Sequence, residues 1–137
     1  MLQRAQTIVI DGSNVIHAIF EPWPGSHEEQ NQQAVDFMDH LSHWLYQKLE
    51  LNVEIIFDGG YRLLLGHANS DRLRVLFSHH DSADEIILER VRTLRYFKSK
   101  VTVVTRDRAL AEEAQKENAR VMTPERLWSK IVNPNNR

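Results

Sequence analysis

A chain of 137 residues has room for one compact domain, expected here over 1–137, and its apolar (42%) and charged (26%) fractions are ordinary for a globular protein. The absence of cysteine excludes disulfides and thiolate metal sites. A net charge of −2 argues against bulk electrostatic adhesion to nucleic acid.

The opening residues Met1-Leu2-Gln3-Arg4-Ala5-Gln6 lack the apolar stretch of a signal peptide, and no apolar run is long enough to span a bilayer. A cytoplasmic location with no membrane partner is the expectation. The first strand is predicted at Thr7–Ile10, followed directly by Asp11-Gly12-Ser13-Asn14. After a turn-rich stretch at 21–25, Val35, Met38, Leu41, Leu45 and Leu49 repeat at helical spacing. The second strand, Val53–Phe57, ends at Asp58-Gly59-Gly60. A second turn-rich stretch at 66–70 precedes a strand at Arg74–Phe77 and the sequence Ser82-Ala83-Asp84-Glu85. A helix then carries Ala83, Ile87, Val91 and Leu94. The fourth strand, Val101–Val104, leads into Thr105-Arg106-Asp107 and a helix containing Leu110 and Ala114. The fifth strand is Arg120–Met122. It is followed by a helix with Thr123 as N-cap and Pro124 at the first position, its Leu127, Trp128 and Ile131 docking on the sheet. The closing Pro-Asn-Asn-Arg is expected to fray.

Strands apolar at consecutive positions, alternating with helices, imply an α/β fold. The expectation is a parallel sheet of about five strands with helices on both faces. In such sheets ligands bind beyond the carboxyl ends of the strands, where the strand order reverses. Four successive strands deliver a carboxylate there: Asp11, Asp58, Asp84 and Asp107.

Each also has a plainer reading. Asp11 and Asp58 precede glycines and suit turns, and Asp107 suits a helix cap. Asn14 reads equally well as a helix N-cap or as a site residue. Ser82 and Glu85 fit a capping box, which accounts for Glu85 and leaves Asp84 free to point outward. Four coincidences at four successive strand ends are harder to accept than one acidic site. Clustered carboxylates repel and require a cation or protons, and an all-oxygen set favours Mg²⁺ or Mn²⁺. Such a centre suits phosphoryl chemistry, with Arg106 and Arg108 placed to grip a phosphate backbone. Arg90, Arg92, Arg95, Lys98, Lys100, Arg106 and Arg108 crowd one stretch, read either as a solvated face or as a basic face beside the acidic site.

The segments Asp11-Gly12-Ser13-Asn14, Phe57-Asp58-Gly59, Ser82-Ala83-Asp84-Glu85-Ile86-Ile87 and Val103-Val104-Thr105-Arg106-Asp107-Arg108 closely resemble the NYN nucleases of the PIN-like superfamily, nearest the bacterial YacP-like branch. The resemblance spans nearly the whole chain, although the stretch between Asp58 and the third strand is shorter than in that branch. It implies a metal-dependent endoribonuclease acting on single-stranded RNA, with Asp11, Asn14, Asp58, Asp84 and Asp107 as catalytic positions. The four aspartates would be the metal ligands, with Ser13, Thr105 and Glu85 in support. Further RNA contacts are expected from Arg62, His79, His80, Arg106 and Arg108, and His17 is ambiguous between surface and site. The low net charge points to a partner that delivers the RNA, such as a ribosome or another protein.

Three other readings compete. A PIN-like module that binds RNA or protein without cutting shares every feature above. A phospho-receiver domain also places aspartates at strand ends. It expects an acidic pair at the first strand, where Ile10 stands beside Asp11, and a Lys soon after the fifth. A haloacid-dehalogenase-type phosphatase needs a second aspartate where Ser13 stands.

Overall fold

The structure is a computed structural model that describes residues 6–20, 25–60 and 70–133. The turn-rich stretches at 21–25 and 66–70, apart from their last residues Gly25 and Ser70, lie outside the described residues, as do Arg62 and the C-terminal Pro-Asn-Asn-Arg. Among those residues the chain forms β1 (Gln6–Asp11), α1 (Gly12–Ile19), α2 (His27–Tyr46), β2 (Leu51–Phe57) and β3 (Leu73–Phe77). It continues through α3 (Ala83–Tyr96), β4 (Lys100–Val104), α4 (Arg108–Lys116), β5 (Arg120–Met122) and α5 (Pro124–Val132).

The five strands form one sheet in the order β3-β2-β1-β4-β5, and every pairing is parallel. The order runs one way from β1 through β2 to β3 and the other way from β1 through β4 to β5. The switch point therefore lies between β1 and β4. Because the strands are parallel, all their carboxyl ends share one edge of the sheet and all their amino ends the other.

Both faces are covered, as runs of consecutive apolar residues require. Ile8 and Ile10 of β1 pack with Val53, Ile55 and Phe57 of β2 against α1, α2 and α5. Val9 and Ile56 turn the other way and meet Ile87 and Val91 of α3 and Leu110 and Ala114 of α4. On the rear face Glu54 is 4% exposed within β2, held bidentately by Arg90 of α3 at 2.6 and 2.9 Å. A carboxylate so enclosed is tolerable only because its charge and lone pairs are matched at once.

The sequence expectations depart from the fold at three places. The helix α1 begins immediately after Asp11 and is missing from the predicted elements, although Val15, Ile16, Ala18 and Ile19 lie at helical spacing within its eight residues. Leu49 does not continue α2, which stops at Tyr46, and Leu49 is 76% exposed. The same helix starts at His27, eight residues before Val35, because its first two turns are mostly polar and show no apolar period. Trp128 packs against the same core cluster as Leu127 and Ile131, with its ring edge-on to Phe20 at 5.5 Å and stacked on Phe37 at 5.9 Å. The five predicted strands stand within two residues of their observed bounds.

Candidate active site

The tight passage from β1 into α1 builds the centre of the carboxyl edge. Gly12 is buried, and a Cβ there would lie 2.9 Å from the Ile56 carbonyl oxygen and 3.0 Å from Ile55 and Phe57. Only glycine lets α1 start this close to β2. Asp11 is consequently sealed at the end of the central strand, 5% exposed. It occupies the N-cap position of α1 without a side-chain capping bond, so its carboxylate faces the site instead. Asn14 is the third residue of α1, not its cap, which corrects one of the two readings open from sequence.

Hydrogen bonds tie the surrounding junctions together. The Thr105 hydroxyl donates to Asp11 Oδ2 at 2.8 Å and accepts the Asp107 N–H at 3.1 Å. Asn14 Oδ1 accepts the Arg106 N–H at 2.8 Å, locking α1 to the loop after β4. Ser13 Oγ accepts the Asp58 N–H at 3.3 Å, and Asp58 Oδ1 accepts the Ala83 N–H at 3.2 Å. Asp58 thus reaches the first residue of α3 and sets the position of its neighbour Asp84. The helix starts follow local rules: Ser82 accepts the Glu85 N–H at 3.1 Å. Asp107 Oδ1 accepts the N–H groups of Ala109 and Leu110 at 2.9 and 3.2 Å.

These residues line a cavity of about 500 Å³ that contains Asp11, Ser13, Asn14, His17, Asp58, Asp84, Arg106 and Asp107. Burial pushes the Asp11 carboxyl up from 3.8 to about 7. The Thr105 hydrogen bond opposes this, and the charges of Asp84, Asp58 and Asp107 add to it. Asp84 is also raised, by burial first and then by Asp107 and Asp58. Four carboxylates in mutual repulsion around one cavity have the chemistry of a cation site, and every donor is a hard oxygen. No group of three His, Asp or Glu side chains among the described residues is already gathered around a single point. Asp58 and Asp107 each spend an oxygen on a backbone N–H, and unneutralised carboxylates keep apart. The donor set therefore fits a divalent ion in type, while the side chains are spread around the cavity wall.

Other expected site residues fall outside that wall. Glu85 is exposed on α3 beside its capping serine. Arg108 is exposed at the start of α4. His79 and His80 are exposed in the loop after β3, where His79 adopts φ 55° and its N–H donates to Gly59 O at 2.7 Å. Arg106 does reach the cavity, where its guanidinium pairs with Glu125 of α5. Asp58, expected on a buried strand end, is itself exposed, although Phe57 before it is buried.

Sequence reasoning missed Ser78, 3% exposed, whose Oγ accepts the Gly59 N–H at 3.0 Å and shapes the loop after Asp58. A serine directly after an apolar strand was the only available signal.

Comparison with known proteins agrees with this architecture. Crystal structures of Rae1 (YacP) from Bacillus subtilis superpose with a TM-score of 0.72. One is of a tryptophan-to-leucine mutant, 21% identical, with 96% of this chain and 78% of that chain covered. The other is 18% identical, with 96% and 76% covered. At these identities the likeness speaks for the fold. No curated relative matches the chain. The model of the YacP-like NYN domain matches residues 8–137, so the chain belongs to the YacP-like NYN family, which has a nuclease-type fold.

Proposed function

We propose that the protein is a divalent-metal-dependent endoribonuclease that hydrolyses phosphodiester bonds in single-stranded RNA. One observation carries the reading: aspartates from three strand ends and one helix start line a single cavity at the switch point, around a buried Asp11. Membership of a nuclease-type family supports it.

Asp11, Asp58, Asp84 and Asp107 would hold Mg²⁺ or Mn²⁺. When bound, the ion would supply charge neutralisation and a water of lowered pKa. The protein's own groups position the substrate. Thr105 fixes the Asp11 carboxylate through its 2.8 Å hydrogen bond. Asn14, with Oδ1 committed to the Arg106 N–H, offers its side-chain amide to a phosphate oxygen or to the attacking water. Arg106 exchanges Glu125 for the phosphate, and Ser13 and Glu85 support the helix starts on either side. Arg62, Arg108, His79 and His80 are further contacts for the strand. In the reaction a water oxygen bonds to phosphorus and the bond to the 3′ oxygen breaks. That oxygen takes up a proton, leaving a 5′-phosphate and a 3′-hydroxyl. Cytoplasmic RNA delivered by a ribosome or another protein is the substrate source this reading favours. No described helix is long and apolar enough to cross a membrane.

The test is cleavage of a labelled RNA by purified protein in Mg²⁺ or Mn²⁺, with cleavage stopped by EDTA. Asp11→Asn should lose activity by about a thousandfold, the scale on which losing one reaction-site charge interaction operates. Cleavage by Asp11→Asn at the wild-type rate would assign the activity to a contaminant.

A second reading, an RNA-binding module without turnover, draws on the dispersed placement of the carboxylates. Calorimetric titration with Mn²⁺ separates the two, since heat of binding at millimolar metal favours the nuclease and its absence the silent module.

A further inference from the structure

The opposite edge of the sheet carries a second cavity, of about 510 Å³, with contrary chemistry. Its charged lining residues are Arg95, Lys100, Arg120 and Lys130, with no aspartate or glutamate beside them. Trp44 and Leu51 supply part of its apolar wall. Arg95 and Lys130 stand in the last turns of α3 and α5, where a cation also complements the helix dipole. Lys100 and Arg120 open strands β4 and β5 and have no such explanation. Neither they nor Lys130 form an ion pair among the described residues. In contrast, Arg90, Arg92 and Arg106 are matched by Glu54, Glu117 and Glu125. One Arg95 nitrogen donates to Ser99 O at 3.1 Å, while its Nε is buried without a hydrogen-bond partner. Four cations with no carboxylate in the lining to neutralise them suit an anionic ligand.

Exposed aromatic rings stand outside that lining, on the same end of the sheet. Tyr96 and Phe97 follow Arg95 directly, are 79% and 74% exposed, and meet edge to face with centroids 5.2 Å apart. Tyr46, 78% exposed, ends α2 two residues after Trp44, and Leu49, 76% exposed, lies two residues before Leu51. These are four of the five large exposed hydrophobic residues among the described ones, gathered at one end of the molecule. Rings left in water at the same end as unmatched cations are the parts of a surface for single-stranded nucleic acid, where phosphates meet the cations and bases stack on the rings.

We propose that the amino edge of the sheet is a second RNA-binding surface, which seats phosphates of a single strand at Lys100, Arg120, Arg95 and Lys130 and stacks bases on Tyr96 and Phe97. It lies about 16 Å from the carboxylates, the rise of β1 from Gln6 to Asp11 at ~3.3 Å per residue. It therefore holds RNA away from the point of cleavage. The choice of RNA among polyanions rests on the nuclease reading, but binding and cleavage are measured separately.

The experiment follows fluorescence anisotropy of a labelled single-stranded oligouridylate with the full chain in EDTA, across a salt series. Lys100→Glu and Arg120→Glu should each weaken binding and lower the slope of log K against log salt by about 0.7, one phosphate contact on a single strand. Tyr96→Ala should weaken binding about tenfold, the loss of one base stack. Lys116→Glu, which carries the same charge change on exposed α4, should leave the slope unaltered, and thermal melts check that each variant is folded. Wild-type slopes in both charge variants overturn the proposal, as does the absence of oligouridylate binding. Self-association that Tyr96→Ala abolishes while RNA binding persists would give this face to a protein and likewise overturn it. Failure here with cleavage intact leaves the nuclease reading standing, whereas Asp11→Asn that binds but also cuts undermines only that reading.

Discussion

The two edges of this parallel sheet are built from the same strands, yet they solve opposite electrostatic problems. At the carboxyl edge, four like charges line one cavity and are held around it by the backbone. Asp11 is sealed by α1, and Thr105, Asn14 and Ser13 fix the neighbouring junctions through hydrogen bonds. At the amino edge the cations sit at strand starts and helix ends, and exposed rings lie beside them. The first region stores repulsion in a rigid frame, while the second presents charge on an open one. A frame that holds carboxylates together against their repulsion gives up stability to do so, which an open cationic surface does not.

The sharpest way to break that contrast is to remove the buried charge. The Asp11 carboxyl is held at about 7 in the folded chain, against 3.8 for the ordinary side chain. Between those values the folded protein retains a proton that the unfolded chain has released. Stability in EDTA therefore falls as pH rises from about 4 to about 7 and levels off above. The gap is worth up to about 4 kcal/mol, so Asp11→Asn should melt higher than wild type at pH 8 and lose most of the difference near pH 4. Adding Mn²⁺ should raise the wild-type melting temperature and leave the variant's unchanged. An Asp11→Asn protein that melts lower than wild type at pH 8 would mean the carboxylate is structural. Charge changes at the amino edge, such as Lys100→Glu, should show no comparable pH-dependent gain.

Packing offers a second, smaller contrast. Gly12→Ala would place a methyl 2.9 Å from the Ile56 carbonyl, which is backbone and cannot swing away. Overpacking of this kind costs about 1–3 kcal/mol. Chemical denaturation should show that loss, with cleavage reduced because α1 carries Ser13 and Asn14. Substitutions at exposed Lys100 and Arg120 should stay within about 0.5 kcal/mol of wild type.

Much of the carboxyl edge was legible because strand ends are readable. Consecutive apolar runs mark buried parallel strands, so the residue after each run falls on the ligand edge. Asp11, Asp58 and Asp107 were located by that logic, and Ser82 by its capping pattern. What escaped depends on contacts between distant segments. The helix α1 is only eight residues long, too short to stand without tertiary packing, so the brief apolar spacing of Val15, Ile16, Ala18 and Ile19 was overlooked. The basic run from Arg90 to Arg108 looked like one face, but three of its arginines are claimed by Glu54, Glu117 and Glu125. Arg95 and Lys100 turn to the other edge altogether. A linear pattern of charge does not reveal which ions are already paired.

Asp107 is where the structural and chemical roles overlap, and it can be divided by two substitutions. Its Oδ1 accepts two N–H groups at the start of α4, while its charge helps raise Asp84 and Asp11. Asp107→Ala removes both contributions. It should cost about 1 kcal/mol for the lost cap, partly offset by relief of repulsion across the cavity. Asp107→Asn keeps an acceptor for Ala109 and Leu110 and removes only the charge. If the carboxylate serves the site, the Asn variant should hold wild-type stability yet lose Mn²⁺ affinity and cleavage. Should the Asn variant bind Mn²⁺ and cut as wild type does, while the Ala variant is merely less stable, Asp107 is a helix cap alone. The acidic edge would then reduce to Asp11, Asp58 and Asp84. That outcome would also lessen the repulsion that distinguishes the two edges, because Asp107 is the charge that acts most strongly on Asp84.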